Sequence, residues 1–369
     1  MLAAQYVFTV SFWAQPAVYF QGIAIGQLII YVLSLFFLFL YFSKRPKNHY
    51  KKGFTAFGFW VAFGVPALVF LVPGSVFLYT KTPFWFEFGT WMSFFIFLGI
   101  LYGIFFGRWQ WKIHRHELSF PNLPDDLDGM TFVQLSDIHI GSFFGRTDKV
   151  RKAVSKINHL NADYLFFTGD LVNNSAEELE GWEELLKEIT VKKGKFSILG
   201  NHDYGDYVQW QNDSEKSKNL NDLILWHQKI GWTPLLNSKL KLVEGAWLLG
   251  VENWGKAPFR QSGKLDQTLQ GIPEKDFKIL LSHDPSHFDE QVKFKPVDLT
   301  LSGHTHGMQF GIERFGIRWS PVSFRYPKWA GLYKENNSYL YVNRGFGYLG
   351  FPGRVGIYPE ITHFTLWKG

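Results

Sequence analysis

Phe196-Ser197-Ile198-Leu199-Gly200-Asn201-His202-Asp203 stands near the middle of a chain of 369 residues. An apolar run that reads as a short buried strand gives way to glycine and then to three side chains able to bind metal or move a proton. The arrangement recurs on both sides. Upstream, residues 131–135 lead into Ser136-Asp137-Ile138-His139, and residues 164–168 lead into Asp170. Downstream, residues 277–281 lead into Ser282-His283-Asp284, and residues 299–302 lead into Gly303-His304-Thr305-His306. Between the first three strands lie helical patterns: residues 148–160, with Val150, Val154 and Ile157 on one face, and residues 175–189, with Ser175 as N-cap. A β-α-β-α-β succession argues for an α/β fold of layered sheets. Further strands are expected at residues 240–243, 247–251 and 339–343. Residues 204–230 read as a polar loop entering a helix, and residues 321–329 as a loop over the site.

Donor groups past the C-terminal ends of five strands would meet at one edge of the sheets, where short loops are held by rigid strands. Asp137 and His139 alternate in a tight turn and can reach one ion. Asn201 offers an amide oxygen, His202 can protonate a leaving oxygen, and Asp203 can orient that imidazole. His304 and His306 also alternate, so each can face a different ion. Taken singly, these residues fit plainer roles: a surface turn for Asp137 and His139, a helix cap for Asp170, a core imidazole for His283. Taken together they read as one centre for two divalent metals.

Charge and hydropathy divide the chain. Residues 1–119 hold nine Lys/Arg against two acids, a surplus of seven within a net charge of +6, which leaves the other 250 residues at −1. The pI near 9.1 therefore reports the front of the chain, and a basic nucleic-acid-binding body is not supported. The absence of cysteine removes disulfides, zinc–thiolate sites and thiol nucleophiles.

Residues 23–42 are uncharged and apolar over a bilayer's thickness, and residues 54–79 and 88–106 repeat the pattern. Residues 1–20 are apolar but hold Gln5, Gln15 and Pro16, so three or four membrane helices are expected. Lys44, Arg45, Lys47, Lys51 and Lys52 in one loop, and Arg108, Lys112 and Arg115 after the last span, put those segments on the cytoplasmic side. The expected organisation is a transmembrane region at 1–107, a juxtamembrane linker at 108–128 with Trp109 and Trp111 at headgroup level, and a catalytic domain at 129–369. That makes a multi-pass protein of the cell membrane with its soluble domain in the cytoplasm.

In order and spacing, Asp-x-His, Gly-Asp, Gly-Asn-His-Asp, His and Gly-His-x-His resemble the calcineurin-like metallophosphoesterase superfamily over residues 129–369. The resemblance implies a four-layer α/β/β/α sandwich and a dinuclear site. Asp137, His139, Asp170 and His306 would ligate one ion, and Asp170, Asn201, His283 and His304 the other, with Asp170 bridging. His202 would be the proton donor or phosphate-orienting group, backed by Asp203. The ions would be manganese, with zinc, iron or magnesium as alternatives. Residues 303–309 and 343–361 are similar to a membrane-associated bacterial branch that includes UDP-2,3-diacylglucosamine hydrolases, and Met308 departs from a glycine usual there. The implied partners are a phosphoester substrate, lipid-linked in that branch, and membrane lipid, without nucleic acid. Hydrolysis of soluble phosphodiesters or nucleotides, and a catalytically silent scaffold, are the competing readings.

Overall fold

Successive residues of the central strands are apolar on both sides, so each strand must be covered twice. Phe132, Tyr164 and Phe166 join one buried cluster, whereas Val133, Leu165 and Phe167 join another. A computed structural model describes residues 50–80 and 82–369, with Gly22, Ile25, Gly26, Ile29, residues 31–33, Leu35 and Phe36. The chain divides into two compact units, Met1–Phe105 with Gly350–Gly353, and Phe106–Leu349 with Arg354–Gly369.

In the larger unit the strands up to the first turn of the fold are β1 (Lys112–Phe120), β2 (Met130–Leu135), β3 (Tyr164–Phe167), β4 (Gly194–Ser197) and β5 (Thr233–Pro234). Then come β6 (Ser238–Val243), β7 (Ala246–Gly250), β8 (Phe277–Leu281) and β9 (Leu299–Ser302). A small hairpin, β10 (Ile312–Arg314) and β11 (Ile317–Trp319), precedes β12 (Gly331–Glu335), β13 (Ser338–Val342) and β14 (Glu360–Lys368). One six-stranded sheet has the order β1-β14-β2-β3-β4-β5, the other β12-β13-β9-β8-β7-β6. Phe132, Phe166, Leu248, Ile279, Leu301 and Phe364 fill the space between them. Burying each such side chain contributes about 1.5–3 kcal/mol.

The outer face of the first sheet is covered by the helix at Thr147–Asn158 through Val150, Val154 and Ile157, and by Leu185, Leu186 and Leu223. The outer face of the second is covered by Leu265, Phe288 and Val292. The result is the expected α/β/β/α order of layers.

Two expectations are corrected. The segment 108–128 is no linker: β1 runs parallel to β14 from Lys112↔Glu360 to Phe120↔Lys368. Trp111 is buried, and its Nε1 donates to the Phe346 carbonyl at 2.9 Å, so it cannot lie at a headgroup. Residues 175–189 do not form one helix. A capping box of Ser175 and Glu178 starts a short turn at Ala176–Leu179, Gly181 adopts a φ of +80°, and helix restarts at Glu183–Lys187.

The smaller unit contains α1 (Tyr50–Thr80) and α2 (Pro83–Phe105). Spans of 25 residues (Gly53–Phe77) and 27 residues (Pro83–Trp109) are long and apolar enough to cross a membrane. Pro66 and Pro73 lie inside α1, as is tolerated where a neighbouring helix supplies support. Ser93 Oγ of α2 donates to the Pro66 carbonyl at 2.8 Å, and Gly89 sits against Pro73. The spans expected at residues 1–20 and 23–42 lie wholly or largely outside the described residues.

Candidate metal centre

Each donor group sits just past a strand end, and five of them stand on backbone that few side chains accept. Asp137 and His139 follow β2, Asp170 follows β3, Asn201 and His202 follow β4, His283 follows β8, and His304 and His306 follow β9. Asp137, His139, Asp170, His304 and His306 all have positive φ, between 48° and 71°. Such conformations cost of order 1–3 kcal/mol each and persist where the surroundings fix them. Close contacts between the loops require glycine. A Cβ on Gly200 would lie 2.2 Å from Asp170 Oδ1, and one on Gly303 would lie 1.8 Å from Ser136 Oγ.

Backbone carbonyls set the tautomers of three imidazoles. His283 Nδ1 lies 2.7 Å from the Thr168 carbonyl, His202 Nδ1 2.7 Å from that of Asn173, and His139 Nδ1 3.2 Å from that of Val172. A proton on each Nδ1 leaves an Nε2 lone pair turned inward. There His139 Nε2 and His306 Nε2 stand 3.0 Å apart, with Asp137 Oδ1 3.3 Å from the latter. On the other side His283 Nε2 and His304 Nδ1 lie 3.1 and 2.8 Å from Asn201 Oδ1. The Asn201 amide is oriented by its NH₂, which donates to Tyr207 Oη at 2.7 Å. Asp170 Oδ2 stands between, 3.6 Å from His139 Nε2 and 3.2 Å from His283 Nε2. Asp137, His139 and His306 form one group whose ligand atoms lie within 4.8 Å of one another, and Asp170, His283 and His304 form another.

Lone pairs converging on lone pairs repel, so this donor set is stable only around positive charge, and it fits two divalent cations. The titration behaviour agrees. Burial works to raise the Asp137 carboxyl, yet His306 and His283 beside it hold it well below the usual range. Asp170 is likewise held low despite burial, by His283, His202 and His139. Burial works to lower His283, but Asp170 and Asp137 overcome it and push the imidazole up to about 10.

All seven expected ligands come together, and His202 stands beside them with its ring 5.0 Å from that of His139. Asp203 is the correction. Its carboxylate accepts from the backbone N–H groups of Gly200, Asp170, Leu171 and Val172, at 2.9–3.2 Å. With four buried amides on two oxygens it has no capacity left for the His202 ring, which uses the Asn173 carbonyl instead. Asp203 holds together the two loops that carry Asp170 and Asn201, and is a positioning residue.

Two supporting residues, Tyr326 and Arg354, carried no readable signal. Tyr326 Oη lies 2.9 Å from His304 Nε2 and donates to Asp284 Oδ2 at 3.3 Å, fixing the outer nitrogen of that ring. Arg354 is fully buried and donates to the carbonyls of His306, Arg344, Gly345 and Gly347. It ties the His306 loop to the segment before β14. The triplet Ser282-His283-Asp284 is visible as a motif, and the structure gives its aspartate partners: it accepts from the Ser286 N–H at 2.8 Å and from Tyr326 Oη at 3.3 Å.

Comparison with known proteins agrees with this geometry. Residues 130–308 match the family described as calcineurin-like phosphoesterase. A transmembrane protein with metallophosphoesterase domain from Danio rerio is 30% identical over 280 residues, 72% of this chain and 60% of its own. The chain therefore spans less than two thirds of that relative. The uncharacterized metallophosphoesterase YkuE of Bacillus subtilis is 30% identical over 68% of this chain and 84% of its own. A more distant relative, the UDP-2,3-diacylglucosamine pyrophosphatase LpxG of Chlamydia trachomatis, is 27% identical over 65% of this chain and 87% of its own.

Proposed function

Because the chain belongs to the calcineurin-like metallophosphoesterases, which are metal-dependent phosphoester hydrolases, we propose that it cleaves a lipid-linked phosphoester or pyrophosphate at the cytoplasmic leaflet, anchored by its N-terminal helices. The observation that carries the chemistry is Asp170 Oδ2 between two imidazole groups, 3.6 Å from His139 and 3.2 Å from His283. Asp137, His139 and His306 would hold one divalent ion, and Asn201, His283 and His304 the other, with Asp170 shared. The mixed imidazole and carboxylate set suits manganese, with iron, zinc or magnesium as alternatives. When bound, such a pair supplies Lewis acidity towards the phosphoryl oxygens and activates water at neutral pH.

The protein's own groups do the rest. Carbonyls of Thr168 and Val172 hold His283 and His139 in the tautomer that presents Nε2. His202, hydrogen-bonded through Nδ1 to Asn173 and stacked on Tyr207 at 4.3 Å, keeps Nε2 for the substrate. It delivers a proton to the leaving oxygen or orients the phosphoryl group.

The membrane part of the proposal draws on the two long apolar helices, on the excess of Lys and Arg flanking them, and on the substrate named for LpxG. The full chain in detergent–lipid micelles, loaded in turn with Mn²⁺, Fe²⁺, Zn²⁺ and Mg²⁺, should give a higher kcat/KM for a UDP-diacylglucosamine-type pyrophosphate than for any water-soluble phosphodiester or nucleotide. A preference for the soluble compounds would favour the soluble-substrate reading. Failure to hydrolyse any phosphoester would point to a silent scaffold.

A further inference from the structure

The hairpin of β10 and β11 lies between the His306 loop and the Tyr326 loop, and its composition suits lipid better than water. Pairing of Ile312 with Trp319 and Arg314 with Ile317 puts these four side chains on one face. Glu313 and Arg318 take the other, where Glu313 bonds to Arg344 at 2.9 Å and the Arg318 guanidinium lies 5.4 Å from the Tyr333 ring. The polar face is thus turned to the body and the apolar face away from it. Ile312, Ile317 and Trp319 are each roughly half exposed, and Met308 and Phe324, in the segments that precede and follow the hairpin, are exposed too.

The tip is the decisive feature. Phe315 and Gly316 both have positive φ, 54° and 78°, the pattern of a tight mirror-image turn that favours Asn, Asp or Gly. A bulky residue there is strained, and Phe315 gains no packing in return, since 94% of it is exposed. Phe324, at 86%, is as bare. An outlier that is both strained and unpacked points to a role outside the folded body.

We propose that this hairpin and the turn carrying Phe324 dip into a lipid bilayer: Phe315, Phe324 and Ile317 enter the acyl boundary while Arg314 and Arg325, exposed beside Phe315 and Phe324, meet anionic headgroups. Amphipathic surface elements of this kind bury an apolar face about 5–10 Å deep and draw on basic residues at the interface. A bilayer is the partner favoured here because the exposed aromatics alternate with arginines, and because the same chain carries two helices able to cross a membrane. The inference rests on the membrane-anchored reading above. It adds that the rim of the metal centre itself contacts lipid, so that a lipid-linked phosphate need not leave the leaflet to be cleaved.

The lack of cysteine in the chain gives a direct test. Phe315→Cys, Phe324→Cys and, as a water-exposed reference, Glu244→Cys each accept one nitroxide label in the full chain. The proteins are reconstituted in vesicles of equimolar phosphatidylcholine and phosphatidylglycerol. The ratio of collision with oxygen to collision with a nickel chelate should be several-fold higher at positions 315 and 324 than at 244. Equal ratios at all three would overturn the inference, including the case in which a protein partner covers this face in cells. Carbonate extraction of the same vesicles reports the anchor separately. Labels in water on a carbonate-resistant protein sink the hairpin and spare the anchor, and labels in lipid on an extractable protein do the reverse.

Discussion

Asp170→Asn should reduce phosphoester hydrolysis to the background of the solution and release metal from both halves of the site. Asp170 Oδ2 is the only oxygen among the described residues placed within 3.6 Å of a ring nitrogen from each group. Its other oxygen accepts the backbone N–H of His202 at 2.8 Å, so the same side chain also positions the residue proposed to act on the leaving group. The amide keeps the volume and loses the charge that balances the cations. Two divalent ions would act together on charge developing at phosphorus, so removing the ligand proposed to be shared would disable both. The expected loss exceeds that of any other single substitution, and is read by steady-state rates with metal content of the same preparation. Near-normal turnover would remove Asp170 from the mechanism.

His202→Ala should leave the ions in place and lower kcat by the 10²–10⁴-fold, in order of magnitude, of a lost acid–base group. Its Nδ1 proton is committed to the Asn173 carbonyl, so Nε2 must carry a second proton to serve as a donor. Burial lowers the imidazole's affinity for that proton, and Asp170 nearby partly offsets this. Binding of a phosphate dianion works in the same favourable direction as Asp170. The deficit should therefore be large for an alkyl leaving group and small for p-nitrophenolate, which departs without protonation. A uniform loss across leaving groups would assign His202 to orienting the phosphate instead.

The candidate ligands were legible in the sequence because each follows a strand that is apolar in itself, and because three of the five loops use glycine, Gly169, Gly200 and Gly303, where they touch. Strand ends at Leu281 and Ser302 were placed to the residue, since those runs are buried on both faces. β1 escaped notice for the opposite reason. Only Leu118 and Phe120 of its nine residues are buried, so Lys112-Ile113-His114-Arg115 reads as a charged tether. Its parallel partner β14 lies at the far end of the chain, and a pairing that distant leaves no local trace.

The supporting residues were hidden by their partners rather than by their position. Asp203 looks like an imidazole's carboxylate when it follows His202, but it bonds to four backbone amides, which every residue possesses. Arg354 likewise serves four backbone carbonyls, and nothing in the sequence distinguishes those from any others. Phe315 is a third case: an aromatic residue in a short strand pattern suggests core, and only the backbone shows it at the bare tip of a turn.

The central claim is that groups spread from Asp137 to His306 enclose a pair of cations. Elemental analysis of the full-length protein, purified without chelator from cells supplied with manganese, zinc and iron, tests it most directly. The account predicts two divalent ions per chain, and a content near zero in Asp170→Asn. A wild-type protein that binds no divalent ion, or keeps only one with full activity, would contradict it.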